Sequence, residues 1–235
     1  DKMETLIGLF GIGQMPTGEK DPFALRRHAL GVLRMLIEKA LPVSLNTLID
    51  AAWEAEKAVP GVTDHREELR QFFQDRLRVM LRDAGYTTLE VDAVLALNPG
   101  KLDELPKRLA AVRAFMALPE AEALTAANKR IGNILKKIEG EVPTVVNEAL
   151  LAEDAEKQLF AAINDVEPKA LQHFAAGEYE QMLATLAVLR GPVDSFFDNV
   201  MVNAEDPALR ATRQALLKRL YDVMNKVAEI ARLAK

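Results

Sequence analysis

The sequence predicts an all-α fold, and three observations carry that prediction. No stretch keeps the period-two alternation of a half-buried strand. Apolar residues return instead at i, i+3, i+4 and i+7 along one segment after another, which is the spacing of a single helical face. Proline, glycine and N-cap residues fall between those segments, where helices start and stop. The helices recur without a fixed period or repeated signature residues, so the pattern is a multi-helix bundle and not a solenoid.

Composition narrows the class. The chain has 235 residues, enough for one large helical domain or two smaller ones. Its 49% hydrophobic and 28% charged content are those of a soluble globular protein and not of a disordered one. There is no cysteine, which excludes disulfides, thiolate metal sites and cysteine nucleophiles and fits a reducing compartment. No apolar run reaches the roughly 18 residues of a membrane span, and no signal-peptide pattern opens the chain. The first residue is Asp1 and not Met, which suggests a fragment of a longer protein. A net charge of −5 argues against a general nucleic-acid coat, so any RNA or DNA contact must be local.

Taken in order, residues 3–10 are a helix end running into the loop from Gly11 to Gly18. That loop is not a phosphate loop, because no strand precedes it and it lacks the Gly-Lys-Ser/Thr of a Walker motif. Asp21 and Pro22 predict a helix start, with the helix running to about Ala40. Phe23, Leu30, Leu33 and Ile37 share a face with Arg26 in its middle, so Arg26 is expected to be a paired structural residue. Arg27 and Arg34 lie off that face and read as solvated, although they could meet phosphate. A helix follows from Ser44 through Ala58, then a break at Pro60-Gly61. The next helix, His65 to Ala84, carries a core stripe of Leu69, Phe72, Phe73, Leu77, Met80 and Leu81 and stops at Gly85. Thr87 and Glu90 form a capping-box pattern for a short helix ending near Asn98, and another helix runs from about Leu102 to Leu118.

The segment from Pro119 to Glu139 is the most informative. Leu124, Ala127, Ile131, Ile134, Leu135 and Ile138 fall within about 100° of helical arc. Lys129, Arg130, Asn133, Lys136 and Lys137 fall within about 120° on nearly the opposite side, and no acid intervenes between Glu122 and Glu139. From residue 118 onward there are 14 Lys plus Arg against 18 Asp plus Glu, so this positive stripe lies in an acidic region. A local stripe of cations and amides is what selective phosphate contact needs; a solvated bundle face has the same pattern.

A linker-like passage follows Gly140. The next helix spans about Glu153 to Ala175, with a kink or break possible at Pro168. Tyr179, Met182, Leu183, Leu186 and Leu189 form another core stripe. At Gly191-Pro192 one helix can end and the next begin, with Val193, Phe196, Phe197 and Val200 on one face and Asp194 and Asp198 beside it. Pro207 begins a terminal helix to about Leu233, whose buried face is Leu209, Leu216, Leu220, Val223, Met224, Val227 and Ile230. Arg213 lies near that face and is expected to pair with Asp194 or Asp198, whereas Arg210 lies at its edge and is freer to meet a ligand. Phe196 and Phe197 are expected at the packing centre.

Self-contained catalytic chemistry is missing. His28, His65 and His173 share no motif, Asp64-His65 reverses the order of a metal-binding His-Asp pair, and no nucleophile elbow or triad signature is present. No metal site and no catalytic residue is expected.

Several of these stretches together resemble a known family. Asp21 to Arg27 (Asp-Pro-Phe-Ala-Leu-Arg-Arg), Asn128 to Leu135 (Asn-Lys-Arg-Ile-Gly-Asn-Ile-Leu) and Phe196 to Val202 (Phe-Phe-Asp-Asn-Val-Met-Val) stand in an order and spacing similar to the C-terminal part of the bacterial glycyl-tRNA synthetase beta subunit. Phe72 to Ala96, with Arg76-Leu-Arg78 and Asp83 to Tyr86, fits the same family, and the likeness covers essentially the whole chain. It implies that residues 1–42 end an HD-like helical domain whose body lies upstream, that 43–100 connect, and that 101–235 form a DALR-type anticodon-binding helical bundle. The signature that names that bundle is matched only as Pro207-Ala-Leu-Arg210, with Asp206 displaced ahead of the proline and Thr212 where the family often has asparagine.

The resemblance further implies binding of the anticodon arm of tRNA-Gly, in support of glycine–tRNA ligase activity catalysed with the alpha subunit. On that basis Lys129, Arg130, Lys136 and Lys137 would meet phosphates, with Asn133 and Arg210 nearer the bases. ATP and magnesium would be used by the alpha subunit and no cofactor by this fragment. An alpha2beta2 assembly in the cytoplasm is expected, with no membrane partner. The rival expectation is a helical scaffold for protein–protein contact without RNA. A phosphohydrolase in the HD-like tail ranks third.

Overall fold

The computed structural model describes residues 1–234 and is built of α-helices, with no β-sheet among the described residues. The helices are α1 (Lys2–Gly11), α2 (Leu25–Glu38), α3 (Leu45–Glu56), α4 (Arg66–Asp83), α5 (Thr88–Leu95), α6 (Leu105–Met116), α7 (Ala121–Leu135), α8 (Asp154–Ala175), α9 (Tyr179–Leu186), α10 (Arg190–Asn199) and α11 (Pro207–Met224). Single 3-10 turns stand at Glu148–Leu150, Ala187–Leu189 and Ile230–Leu233. Two compact units result. One comprises residues 1–91 with 98–106, the other 92–97 with 107–234; most of the expected connecting region, 43–100, falls in the same unit as 1–42.

In the first unit α1 packs against α2, α3 and α4, closing a core of Leu6, Phe10, Leu33, Ile49, Leu69 and Phe73. Each such side chain contributes roughly 1.5–3 kcal/mol on leaving water. Phe72 tilts against Phe10 with ring centroids 5.3 Å apart. Gly11 is fixed by close approach: a Cβ there would stand 2.5 Å from Val62 Cγ1, and the Gly11 carbonyl accepts the Thr63 backbone N–H at 2.9 Å. Ser44 caps α3, and Thr87 and Glu90 exchange the two bonds of a capping box at 2.7 and 3.2 Å.

Helix α2 begins later than Asp21-Pro22 predicts. Ala24 adopts φ 53°, and Asp21 reaches over it to accept the backbone N–H groups of Leu25 and Arg26 at 2.8 and 3.0 Å. The cap is therefore made from outside the helix, and the buried face becomes Leu25, Ala29, Val32, Leu33 and Leu36. Phe23 is left exposed and Leu30 and Ile37 half-buried. Arg26 is half-buried and donates to the Gly18 carbonyl at 2.5 Å, so its partner is a backbone oxygen and not a carboxylate.

In the second unit α7, α8, α10 and α11 pack around one core, with α9 against α8 and the terminal 3-10 turn against α7. Tyr179, Met182, Leu183, Leu186 and Leu189 are all buried. Arg108, 8% exposed, donates to the carbonyls of Lys226 and Val227 at 2.9 and 3.1 Å and lies over the Tyr179 ring. Helix α8 runs unbroken through Pro168. Gly191 and Pro192 do not separate two helices widely either: they occupy the first turn of α10, directly after the 3-10 turn, where a missing proline N–H leaves no ladder bond unmade. Asp206 caps α11 with bonds to Ala208 and Leu209, and Pro207 takes its first position. The helix stops at Met224, short of the expected Leu233, because Asn225 turns the chain and its side-chain oxygen accepts the Ile230 N–H at 3.0 Å.

Candidate nucleic-acid interface

Helix α7 turns Leu124, Ala127, Ile131 and Leu135 inward, together with Asn128 and Gly132. Its approach to α11 is close at Gly132, where a Cβ would stand 3.2 Å from Tyr221 Cε2. One turn earlier the Asn128 side-chain amide donates to Met224 Sδ at 3.8 Å. With that face committed, Lys129, Arg130, Asn133, Lys136 and Lys137 are all exposed. Lys136 and Lys137 lie just past the last helical residue, in the turn that ends α7. Among the described residues none of Lys129, Arg130, Lys136 and Lys137 has a carboxylate within ion-pair distance.

Arg130 is the ordered member of the stripe. Its guanidinium lies over the Phe197 ring, 4.1 Å from the centroid, a cation–π contact of about 0.5–1 kcal/mol at an exposed site. Phe197 in turn packs edge-on against the fully buried Phe196, with centroids 5.6 Å apart and an angle of 80° between the rings. Thus α10 supplies a core anchor, Phe196, and a half-exposed platform, Phe197, and the platform orients a cation on α7. The link was readable only as two adjacent phenylalanines, which on a helix point about 100° apart.

Arg213 takes a different partner from either one expected. It is 5% exposed and forms a buried pair with Glu156, which is wholly buried, and donates to the Met201 carbonyl at 2.7 Å. Glu156 also accepts the backbone N–H groups of Ala152 and Glu153, each at 2.8 Å, so one carboxylate caps α8 and neutralises α11. Asp194 lies instead 3.6 Å from Arg190 on its own helix, and Asp198 is exposed. Geometry explains the exchange: Asp194 and Asp198 lie on the solvent side of α10, whereas Val193 and Phe196 hold its inner face.

Arg210 is half-buried and donates to the Ala204 carbonyl at 2.9 Å, steadying the loop before α11. It lies eleven residues before Tyr221, which is about 16 Å along the helix from the crossing with α7. The structure therefore gathers five of the six expected binding residues, Lys129, Arg130 and Asn133 on α7 and Lys136 and Lys137 in the turn that ends it, and leaves Arg210 apart from them. Two residues beside the stripe were not singled out for binding. Tyr221 packs on α7 at Gly132, and its hydroxyl is held above its ordinary pKa, chiefly by burial and then by the carboxylates of Glu229 and Asp222. Lys218 lies one turn before it, paired with Asp222. Among the described residues no group of three or more His, Asp or Glu side chains could hold a metal ion. Nor is any helix long and apolar enough to cross a membrane.

A helical unit presenting cations without carboxylate partners beside an aromatic ring is a surface suited to RNA phosphates and unstacked bases, and residues 124–231 match the family model described as the DALR anticodon binding domain. Residues 1–96 match the model described as the glycyl-tRNA synthetase beta subunit, and the chain belongs to that family. Relatives agree over the whole chain. The glycine–tRNA ligase beta subunit of Leptothrix cholodnii is 62% identical over 234 residues, covering 100% of this chain and 32% of that protein. The beta subunits of Thiobacillus denitrificans and Janthinobacterium sp. are 57% and 58% identical over 235 residues, each with 33% of its length covered. The chain thus spans about a third of the length of the curated relatives it matches, and corresponds to their C-terminal part.

Proposed function

We propose that the chain is the tRNA-binding part of a glycine–tRNA ligase beta subunit and that α7 holds the anticodon arm. The observation that carries this reading is the stripe of four exposed cations on and just after α7, none engaged by a carboxylate among the described residues, within the residues that match the anticodon-binding model. A cation without a carboxylate partner can turn toward phosphate without giving one up, whereas a paired arginine must first surrender its partner. Lys129, Arg130, Lys136 and Lys137 contact phosphates, and Asn133, with both a donor and an acceptor, contacts a base edge. Arg210 acts one step back, ordering the loop that leads into α11.

In this reading amino-acid activation belongs to an alpha subunit, which binds ATP and magnesium, and the beta chain contributes tRNA affinity without a cofactor of its own. The assembly is alpha2beta2 and works in the cytoplasm. The test is charge reversal at two positions, Lys136→Glu with Lys137→Glu, in the full-length beta subunit assembled with its alpha partner. Affinity for tRNA-Gly is expected to fall, and the slope of log K against log salt to become shallower by about 1.4–1.8, the value for two lost phosphate contacts. Unchanged affinity and slope overturn the assignment. Unchanged tRNA binding with loss of the alpha subunit in a pull-down points instead to a protein-interaction scaffold.

A further inference from the structure

Beside the cation stripe, the seam between α7 and α11 opens into a groove of about 260 Å³ lined by Gly132, Leu135, Lys136, Val142 and Tyr221, with the Lys218–Asp222 pair at its edge. It is smaller than a pocket for a drug-sized ligand, which starts near roughly 300 Å³, and suits one planar ring system. Three features give it a chemical character. Tyr221 is the one aromatic side chain lining it, half-buried and with no hydrogen bond to its hydroxyl among the described residues. Gly132 carries no side chain at this wall, so the Tyr221 ring comes close to α7, a Cβ there standing 3.2 Å from Cε2. Lys136, exposed and with no carboxylate partner among the described residues, stands at the groove and belongs also to the stripe.

We propose, on the basis of the RNA-binding reading above, that this groove receives one unstacked nucleobase of the bound RNA. The base lies against the Tyr221 ring, and Lys136 holds the phosphate next to it. Single-stranded RNA is gripped by this combination, an aromatic face for the base and a cation for the backbone, and stacking works for any base because every base has a π-face. The charges at the edge fit as well. Asp222 alone would repel the incoming phosphate, but Lys218 neutralises it. An apolar peptide segment would meet two lysines and an aspartate there, and desolvating them would cost more than the small apolar floor returns.

The experiment uses the full-length beta subunit assembled with its alpha partner, and tRNA-Gly transcripts carrying 2-aminopurine singly at each unpaired position of the anticodon loop. With the natural protein, and with Tyr221→Phe, the fluorescence of one position is expected to change on binding. With Tyr221→Ala that change disappears and affinity falls about five- to 150-fold, the range for loss of one base–aromatic stack. Val142→Trp, which fills the groove from its outer wall and leaves the contact at Gly132 alone, is expected to remove the same signal, so the result does not depend on how well Tyr221→Ala folds. If both variants bind with the natural affinity and the fluorescence change persists, the groove is not the base site and the stripe reading stands. If the natural protein binds no tRNA, the reading beneath this proposal falls and the proposal falls with it.

Discussion

On α4 Arg66 donates to Asp50 and to Asp64 at 2.8 Å each, Arg70 shares Asp50 at 2.7 Å, and the Arg66 guanidinium lies over Trp53. On α7 and in the turn that ends it, Lys129, Lys136 and Lys137 have no such partners among the described residues, and Arg130 lies on the face of Phe197. The residue types on the two helices are similar; the position of the acids differs. Helix α4 has Glu67 and Glu68 in its first turn, Asp64 just before it and Asp50 on α3, whereas α7 has no acid after Glu122. The cations of a helix are thus engaged or left available according to whether carboxylates lie within reach, and counting charges does not distinguish the two cases.

The largest expected effect belongs to a cation of the paired kind. Arg213→Ala leaves Glu156 charged and wholly buried, and breaking such a pair costs about 3–5 kcal/mol. Urea denaturation at neutral pH should show a loss of that size. A loss below about 1 kcal/mol would mean that Glu156 is held by its two backbone N–H donors alone, and would remove Arg213 from the structural set.

That pair also shows where reading a sequence stops. Local signals translated directly: Thr87 with Glu90, Ser44, Gly85 and Asp206-Pro207 each mark a helix end, since a cap and its helix are separated by a few residues. The stripe on α7 was legible for the same reason, being one face of one helix. The partner of Arg213 was not, because Glu156 stands 57 residues away and reads as an ordinary acid of a first helical turn. Asp194 and Asp198 were nearer in sequence and of the right charge, but the side of α10 they occupy is set by which residues its neighbours bury. The start of α2 failed differently: a left-handed Ala24 lets Asp21 cap from four residues before Leu25, a conformation that no residue type there demands. Arg130 on Phe197 joins helices 67 positions apart and had no sequence signal beyond an adjacent pair of phenylalanines.

Phe197→Leu comes next in size and tests the orienting role on the binding side. Leucine keeps apolar contact with Phe196 but removes the ring beneath Arg130. Losing about 0.5–1 kcal/mol of cation–π attraction should weaken tRNA binding two- to fivefold. The effect should vanish in an Arg130→Ala background, since the two changes remove one interaction. Additive losses in the double variant would show that Phe197 touches RNA by itself or acts through α10.

Asp50→Asn tests the comparison from the other side by removing the carboxylate that Arg66 and Arg70 share, leaving Arg66 on Asp64 and Arg70 on Glu67. The pairs are partly exposed, so stability should fall by only about 0.2–1 kcal/mol. If position matters and not free charge alone, tRNA affinity measured at moderate salt should stay within about twofold of the natural value. A marked gain in affinity would make a cation loosened on α4 equivalent to those on and just after α7, and the distinction between the two helices would collapse.

The smallest effect concerns acid. The Asp64 carboxyl is lowered from its ordinary 3.8 to about 2, first by the hydrogen bonds from the Arg66 guanidinium, then by the Arg66 backbone N–H and by the charges of Arg66 and Arg70. A carboxyl whose folded value is depressed gives its stabilisation in full above its unfolded value and loses it as pH falls through the folded one. The window is therefore from about pH 4 down to about pH 2. Because Asp64 lies in solvent the contribution is small. Comparing the natural chain with Asp64→Asn should show a slight stability difference at pH 6 that shrinks below pH 4 and is gone near pH 2. A difference that persists unchanged at pH 2 would assign the effect to the hydrogen-bonding shape of the side chain and not to its charge, leaving α4 held by geometry where α7 is free.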